Sequence, residues 1–178
     1  VSIYDYGHTA DGVFYYAMEL LDGLTLREVV DRDGPQPAAR VIHVVSAVCS
    51  ALVEAHAAGM VHRDVKAENI MLCRQGGELD VVKLLDFGLV KDLGPEAKSM
   101  TMDGAILGTP ETMAPEVLFS ESVGAAADVY SLCAVAYTML TARPLFEVDS
   151  LGALLEAHKS EAPRPPSACK AARAAREG

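Results

Sequence analysis

Several features are scarce or missing in this 178-residue chain. It contains no tryptophan and only four cysteines, and acidic residues outnumber basic ones to give a formal net charge of −10. The cysteines form no C-x-x-C pair, which argues against a zinc knuckle or a disulfide framework; they stand at Cys49, Cys73, Cys133 and Cys169. The acidic charge argues against nucleic acid or anionic membrane as the main partner, because both attract basic surfaces. We therefore expect a cytoplasmic protein that binds no nucleic acid.

Long uninterrupted hydrophobic runs are also missing. The two most apolar stretches, residues 41–61 and 125–140, are broken by polar side chains, namely His43, Glu54 and His56 in the first and Asp128 in the second. We expect neither to span a bilayer, and we expect no signal peptide at the start of the chain. The first residue is Val rather than Met and a strand-like pattern begins at once, so we expect a truncated or processed chain.

The composition indicates a globular domain. Hydrophobic residues make up 51% of the chain and charged residues 22%, which is ordinary for folded proteins and unlike disordered ones. A chain of this length buries roughly 70% of its unfolded surface, so one sizeable domain is the expectation.

The N-terminal third predicts a hairpin followed by two helices. Residues 1–6 and 13–21 are rich in β-branched and aromatic side chains and flank a Gly- and Asp-containing turn, which is typical of a β-hairpin. Asp22-Gly23 is predicted to end the second strand. A short helix is predicted over residues 25–31 with Thr25 as its N-cap, and a long one over 37–58 followed by Gly59.

The remaining two thirds predict short strands and then helices. Met60-Val61 and residues 70–73 and 81–85 read as strands, with a turn at 75–77. Residues 91–105 lack periodicity and predict a long loop. A helix is expected over 125–141, and Ser150 is expected to cap another that ends near 158; residues 163–166 are expected to be extended.

Two loops flanking these strands carry residues that are suited to catalysis. Residues 62–69 read HRDVKAEN, and residues 86–88 read DFG. Phosphoryl transfer to a hydroxyl requires a proton acceptor, correct alignment and cations over the developing charge. Asp64 can accept the proton, Lys66 can steady a phosphate, and Asn69 and Asp86 offer the oxygen ligands that Mg²⁺ prefers.

These segments resemble the eukaryotic-type protein kinase family, which also occurs in bacteria as serine/threonine kinases. Five elements match in the family's order: HRDVKAEN at 62–69, DFG at 86–88, Gly-Thr-Pro at 108–110, Ala-Pro-Glu at 114–116 and the Asp-Val-Tyr-Ser helix start at 128–131. The resemblance implies an α+β, protein-kinase-like fold that is mainly the helical C-terminal lobe. Residues 1–21 would be remnant small-lobe strands and hinge, 22–160 the C-terminal lobe, and 161–178 an extended tail of an incomplete lobe.

The resemblance also implies roles for individual residues. Asp64, Lys66 and Asn69 would be catalytic, and Asn69 and Asp86 would bind Mg²⁺. ATP would contact Lys66 and would lie between the hinge and an apolar floor. The residues implied for the base are Met18 as gatekeeper, the Glu19 carbonyl, the Leu21 amide and Met71 as the floor.

Other matched positions would support the site or regulate it. The resemblance implies that His62 and Phe87 join an internal hydrophobic stack, that Asp128 holds the catalytic-loop backbone, and that Glu116 pairs with an arginine in a helix expected beyond residue 178. Lys66 together with Gly-Thr-Pro favours serine and threonine hydroxyls of protein substrates, and Thr109 would bond Asp64 and Lys66. Arg63 is associated with activation-loop phosphorylation, for which Ser99 and Thr101 are the best-placed acceptors of an activating kinase or of trans-autophosphorylation.

Several family features are not found in the sequence. There is no G-x-G-x-x-G, no strand lysine before the hinge and no partner glutamate, so we expect the chain as written to be inactive and a version extended by the missing lobe to be active. Thr112 stands where tyrosine is common, and Cys133 where glycine is common.

Three functions are compatible with these motifs. The first is an active serine/threonine kinase, and the second a catalytically inactive kinase-like scaffold. The intact Asp64, Asn69 and Asp86 favour the first. The third is a small-molecule phosphotransferase of the aminoglycoside or choline type, which would not be expected to carry Gly-Thr-Pro and Ala-Pro-Glu.

Overall fold

The structure, a computed structural model, describes residues 1–86, 110–119 and 123–169. Within these ranges the chain has five strands and five α-helices, which confirms the predicted α+β class. The strands are β1 Ile3–His8, β2 Phe14–Met18, β3 Gly23–Thr25, β4 Ile70–Gln75 and β5 Glu78–Leu84. The helices are α1 Leu26–Asp33, α2 Ala38–Ala57, α3 Pro115–Phe119, α4 Ala125–Thr141 and α5 Leu151–Ser160. Short 3₁₀ turns cover Ala67–Asn69, Pro110–Thr112 and Pro166–Ala168.

The strands form two separate antiparallel sheets. β1 and β2 make the predicted hairpin, which pairs Ile3 with Met18 and His8 with Phe14. β3, β4 and β5 form a second sheet in that order. The β4–β5 turn lies at Gly76-Gly77, where both residues have positive φ, as the predicted turn at 75–77 requires.

Strand β3 was not predicted. Gly23 does not end the second strand; it opens β3 and pairs with Cys73 of β4. A Cβ atom on Gly23 would lie 2.4 Å from the carbonyl oxygen of Leu72, so only glycine permits this approach. Conversely, residues 60–61 are not a strand and form an irregular connection after α2.

The helix ends follow the predicted capping signals. Thr25 caps α1 in a capping box, in which its hydroxyl accepts from the Glu28 amide and the Glu28 carboxylate accepts from the Thr25 amide. α2 ends at Ala57 and is followed by Gly59 with φ +76°. Ser150 caps α5 through the Ala153 amide. These bonds satisfy amide groups that a helix end would otherwise leave unpaired.

The main hydrophobic core lies between α2, α4 and the three-stranded sheet. α2 buries five residues along one face, namely Val41, Val44, Val48, Leu52 and Ala55. The first four pack with Ile70 and Leu84 from the sheet and with Leu132, Val135 and Met139 from α4. The α4 bounds are those predicted.

Helix α2 is also the one described helix that is long and apolar enough to cross a bilayer, judged by length and composition alone. This differs from our expectation, because His43, Glu54 and His56 do not lower its mean hydropathy below 1.6. Its buried face belongs to the core cluster, and the core helix of a folded domain passes the same test.

A pair of charged residues joins α2 to β5. The Arg40 guanidinium donates to both carboxylate oxygens of Asp80, at 2.7 and 2.6 Å. The side chain of His43, one turn further along α2, contacts the Asp80 carbonyl oxygen. This fork-shaped pairing fixes the sheet against the helix that precedes the segment 62–69.

At the C-terminal end, residues 161–165 lie in neither a helix nor a strand, and Pro166, the last residue of the stretch predicted to be extended, begins a 3₁₀ turn instead. The long loop predicted over residues 91–105 lies outside the described residues. The division of the chain at residues 21 and 160 stays a prediction.

Candidate active site

The segment 62–69 lies between α2 and β4, and Asp128 of α4 holds its backbone through hydrogen bonds. The two carboxylate oxygens of Asp128 accept from the backbone amides of His62 and Arg63, each at 2.8 Å. His56, near the end of α2, also contacts Asp128 Oδ2 at 2.8 Å. Asp128 is only 1% exposed. The carboxylate therefore satisfies two buried amides of a segment whose Arg63 has a left-handed φ of 64°.

His62 ties the same segment to the end of β5. Its imidazole is fully buried, and Nε2 contacts the Leu85 carbonyl oxygen at 2.8 Å. Because a carbonyl oxygen only accepts, Nε2 carries the proton, and Nδ1 can accept from the Asp64 amide at 3.3 Å. Burial lowers the pKa of His62, so the neutral ring is favoured. His62 thus links the segment 62–69 to Leu85, the residue just before Asp86.

Asp64, Lys66 and Asn69 converge in one cluster. Lys66 Nζ lies 2.9 Å from Asp64 Oδ2, and Asn69 Nδ2 donates to the same oxygen at 3.0 Å and to the Asp64 carbonyl at 2.9 Å. The 3₁₀ turn Ala67–Asn69 brings the asparagine back to the aspartate. Within the described ranges, Asp64 Oδ1 and Asn69 Oδ1 have no hydrogen-bond partner, so both remain available to a ligand.

Asp86 follows β5 and is held close to this cluster by the backbone. The Leu85 amide donates to the Asn69 carbonyl at 2.8 Å. Asp86 has φ +54°, a conformation that is uncommon for residues other than glycine. Its Oδ1 accepts from the Tyr16 hydroxyl at 3.0 Å. That carboxylate raises the pKa of Tyr16, because ionised tyrosine would lose the bond and face a second negative charge.

The predicted hinge follows β2. Met18 is the last residue of β2, and Glu19 donates its amide to the Ser2 carbonyl at 3.0 Å. The Ser2 amide and then Lys83 hold the pKa of the Glu19 carboxyl below its usual value. Leu20 is 99% exposed. Among the residues that the structure describes, none bonds the Glu19 carbonyl or the Leu21 amide.

Met71 lies on the sheet face next to this hinge. It pairs directly with Lys83 across β4 and β5, so the two side chains project from the same face. Lys83 Nζ in turn lies 3.4 Å from Glu19 Oε2. Met71 is half-buried. The hinge and the proposed apolar floor are therefore neighbours, which sequence separation alone could not indicate.

Some predicted residues lie outside the described part of the chain. They are Phe87, Thr109, Ser99 and Thr101. Glu116 is in α3 and makes no ion pair with any described residue. Sequence reasoning missed Tyr16, His56 and Lys83, because their contacts with Asp86, Asp128 and Glu19 each span more than sixty residues and leave no local pattern.

Comparison with known proteins agrees with this geometry. Residues 1–169 match the Pkinase family, described as the protein kinase domain. The chain is 38% identical over 169 residues to serine/threonine-protein kinase pkn3 of Myxococcus xanthus, covering 94% of this chain and 31% of that protein. It is 41% identical over 170 residues to serine/threonine-protein kinase PknB of Mycolicibacterium smegmatis, covering 94% and 27%. It is 45% identical over 167 residues to Pkn1 of Myxococcus xanthus, covering 94% and 24%.

The chain therefore belongs to the protein kinase domain family. It spans roughly a quarter to a third of the length of these curated relatives. Members of the family use ATP and Mg²⁺.

Proposed function

We propose that this chain carries the catalytic centre of a protein serine/threonine kinase, which transfers the γ-phosphate of ATP to serine and threonine hydroxyls of proteins. The observation that carries the proposal is the arrangement at Asp64. Lys66 and Asn69 both hold Oδ2, at 2.9 and 3.0 Å, and Oδ1 has no partner in the described ranges. The names of the bacterial relatives support the choice of acceptor.

In this proposal Asp64 accepts the hydroxyl proton at Oδ1. A carboxylate whose other oxygen is fixed by two donors is correctly oriented for this role before substrate arrives. Lys66 is 80% buried at its side chain and lies beside the reacting groups. It would donate to an oxygen of the transferred phosphate, where negative charge develops.

Asn69 and Asp86 fit magnesium through their oxygen atoms. Asn69 uses its amide nitrogen for Asp64, which leaves the amide oxygen as a ligand. The described residues contain no group of three or more His, Cys, Asp or Glu that could hold a metal ion. Mg²⁺ in phosphoryl-transfer sites needs only one or two protein ligands, with waters and phosphate oxygens completing the shell. When bound, it neutralises phosphate charge.

The adenine base would occupy the hinge. The Glu19 carbonyl can accept from the base and the Leu21 amide can donate to it, because no described residue uses either group. Met71 would contact the flat face of the base, and its flexible apolar side chain suits that position.

Partners and location follow from the same proposal. Protein substrates would present serine or threonine, and an activating kinase or a second copy of the chain would phosphorylate Ser99 or Thr101. We propose a cytoplasmic setting without nucleic-acid partners. The free state of the cysteines supports a reducing compartment.

A radiolabelled ATP assay with a serine- and threonine-containing protein tests the activity. We expect no measurable transfer by the 178 residues alone, and Mg²⁺-dependent transfer by a version extended with a glycine-rich loop, a lysine strand and a helix glutamate. In that version Asp64→Asn should lower kcat at least about 100-fold, the effect of losing a general base. Asp11→Asn, in the exposed hairpin turn, is the matched control and should leave kcat unchanged.

Two results would change this proposal. Activity of the 178 residues alone that Asp64→Ala abolishes would show that no added segment is needed. A folded but inactive extended version would favour the scaffold function.

A further inference from the structure

Among the described residues, the side chain that contacts Asp86 is that of Tyr16. Tyr16 lies in β2 of the hairpin, whereas Asp86 follows β5 of the three-stranded sheet. Its hydroxyl donates to Asp86 Oδ1 at 3.0 Å across a sequence separation of 70 residues. Neither the phosphoryl-transfer chemistry nor the predicted motifs assign any role to this tyrosine.

The strand geometry aims Tyr16 inward. Along β2 the half-buried residues are Phe14, Tyr16 and Met18, whereas Tyr15 and Ala17 are exposed. Tyr16 and Met18 therefore share the less exposed face of β2. The hydroxyl lies at the end of a rigid ring with few rotatable bonds, so its position is well defined once the strand is placed.

Asp86 needs a group that holds its side chain. The backbone at Leu85 is fixed on both sides, because its amide donates to Asn69 and its carbonyl contacts His62. These bonds hold the main chain but do not fix the carboxylate of Asp86, which is exposed and has a left-handed φ of 54°. Among the described residues, the Tyr16 hydroxyl is the group that bonds it.

We propose that Tyr16 is a positioning residue for the metal-binding carboxylate: its hydroxyl holds Asp86 Oδ1 and leaves Oδ2 for Mg²⁺. This inference rests on the proposed metal-binding role of Asp86. Hydrogen bonds to carboxylates that bind metals orient them, and losing such an outer bond usually weakens metal affinity. The hairpin thereby contributes to the metal site without supplying a ligand.

The test uses Mn²⁺ as a paramagnetic substitute for Mg²⁺, with binding to the 178-residue chain followed by electron paramagnetic resonance. Tyr16→Phe removes only the hydroxyl and should weaken Mn²⁺ binding roughly tenfold, the lower end of the effect of losing an outer-shell bond. Tyr15→Phe is the matched control, since that hydroxyl lies on the other face near Asp5, and it should bind like the parent. Asp86→Asn should abolish binding.

A second readout needs no metal. The melting temperatures of Tyr16→Phe, Asp86→Ala and the double variant form a double-mutant cycle. We expect the double variant to lose less than the sum of the two single losses, because both remove the same bond. Additive losses would contradict the contact.

The outcomes separate the two proposals. Binding that Asp86→Asn abolishes but Tyr16→Phe leaves unchanged or strengthens would overturn the role of Tyr16 and keep that of Asp86. Absence of Mn²⁺ binding by the folded parent, or binding that survives Asp86→Asn, would overturn both.

Discussion

The N-terminal hairpin and the helical body hold their residues in different ways. The hairpin is β1 and β2, and the helical body is the described chain from Gly23 onward. In the hairpin Tyr4 and Tyr6 are each 73% exposed, whereas Ile70 of β4 is completely buried. The two sheets share no strand pairing. Asp64, Lys66 and Asn69, which we propose as catalytic residues, thus belong to the region whose geometry is determined by burial.

The hairpin, together with Glu19 directly after it, is joined to the body in the described part of the chain by polar contacts. Glu19 reaches Lys83, and Tyr16 reaches Asp86. A region joined in this way opens more easily than a packed core. We therefore expect the cluster around Asp64 to be more stable than the proposed nucleotide-binding hinge, and four experiments test that difference.

The largest expected effect comes from a matched pair of isoleucines. Ile70→Ala in buried β4 should lower the free energy of unfolding by about 2–5 kcal/mol, because it removes a packed side chain and leaves a cavity. Ile3→Ala in β1, where the residue is 47% exposed, should cost less than about 1 kcal/mol. Urea denaturation measures both. Equal losses would show that the hairpin is packed as tightly as the body.

The next effect concerns Asp128, the buried carboxylate that bonds the backbone of the segment 62–69. Asp128→Ala leaves the His62 and Arg63 amides without their acceptor and should cost about 3 kcal/mol in the free energy of unfolding. Asp5→Ala, at an exposed carboxylate of the hairpin, is the control and should stay within about 0.5 kcal/mol. Both values come from urea denaturation followed by circular dichroism. If Asp128→Ala leaves the free energy of unfolding nearly unchanged, water replaces the carboxylate as the acceptor for these two amides.

Acidification should destabilise the body through two buried histidines. Burial lowers the pKa of His62 and of His158, so below about pH 6.5 the unfolded chain binds protons that the folded chain does not. Stability is then highest above the unfolded pKa and falls as the pH drops from about 6.5 towards the lower folded values. Melting temperatures at successive pH values measure the loss. His158→Gln should reduce it, and a similar reduction by His8→Gln, on the exposed hairpin, would contradict this assignment.

The smallest effect is expected at the hairpin surface. Tyr6→Ser replaces a ring that is 73% exposed and lies across from Tyr16 in the hairpin, and the free energy of unfolding should change by no more than about 0.5 kcal/mol. Thermal unfolding against the parent measures it. A loss above about 1 kcal/mol would indicate that this face is covered when the chain is folded.

Local chemistry explains what the sequence could predict. Asp64, Lys66 and Asn69 lie within six residues, and one 3₁₀ turn brings them together, so a motif suffices to group them. Helices α2 and α4 were predictable because each shows sustained apolar spacing and a length well above that of a strand. Thr25 and Ser150 were predictable as caps because hydroxyls satisfy helix-end amides.

Long-range and very short features were not predictable. Strand β3 has three residues and begins at a glycine, a residue that usually ends strands, and its pairing with β4 depends on residues almost fifty positions later. Helix α3 has only five residues, too few for a periodic pattern. The bond between Tyr16 and Asp86 depends on how two sheets are placed, which neither local sequence encodes.

The anchor at Asp128 has a consequence for protein engineering. The octapeptide at residues 62–69 is held by a carboxylate of α4, and that carboxylate is also bonded by His56 of α2. A transplant of the octapeptide alone into another scaffold would carry its reactive side chains but leave behind the group that shapes its backbone. A transplant that keeps the backbone of the octapeptide must therefore include three separate pieces of the chain, one of them more than fifty residues away from the octapeptide.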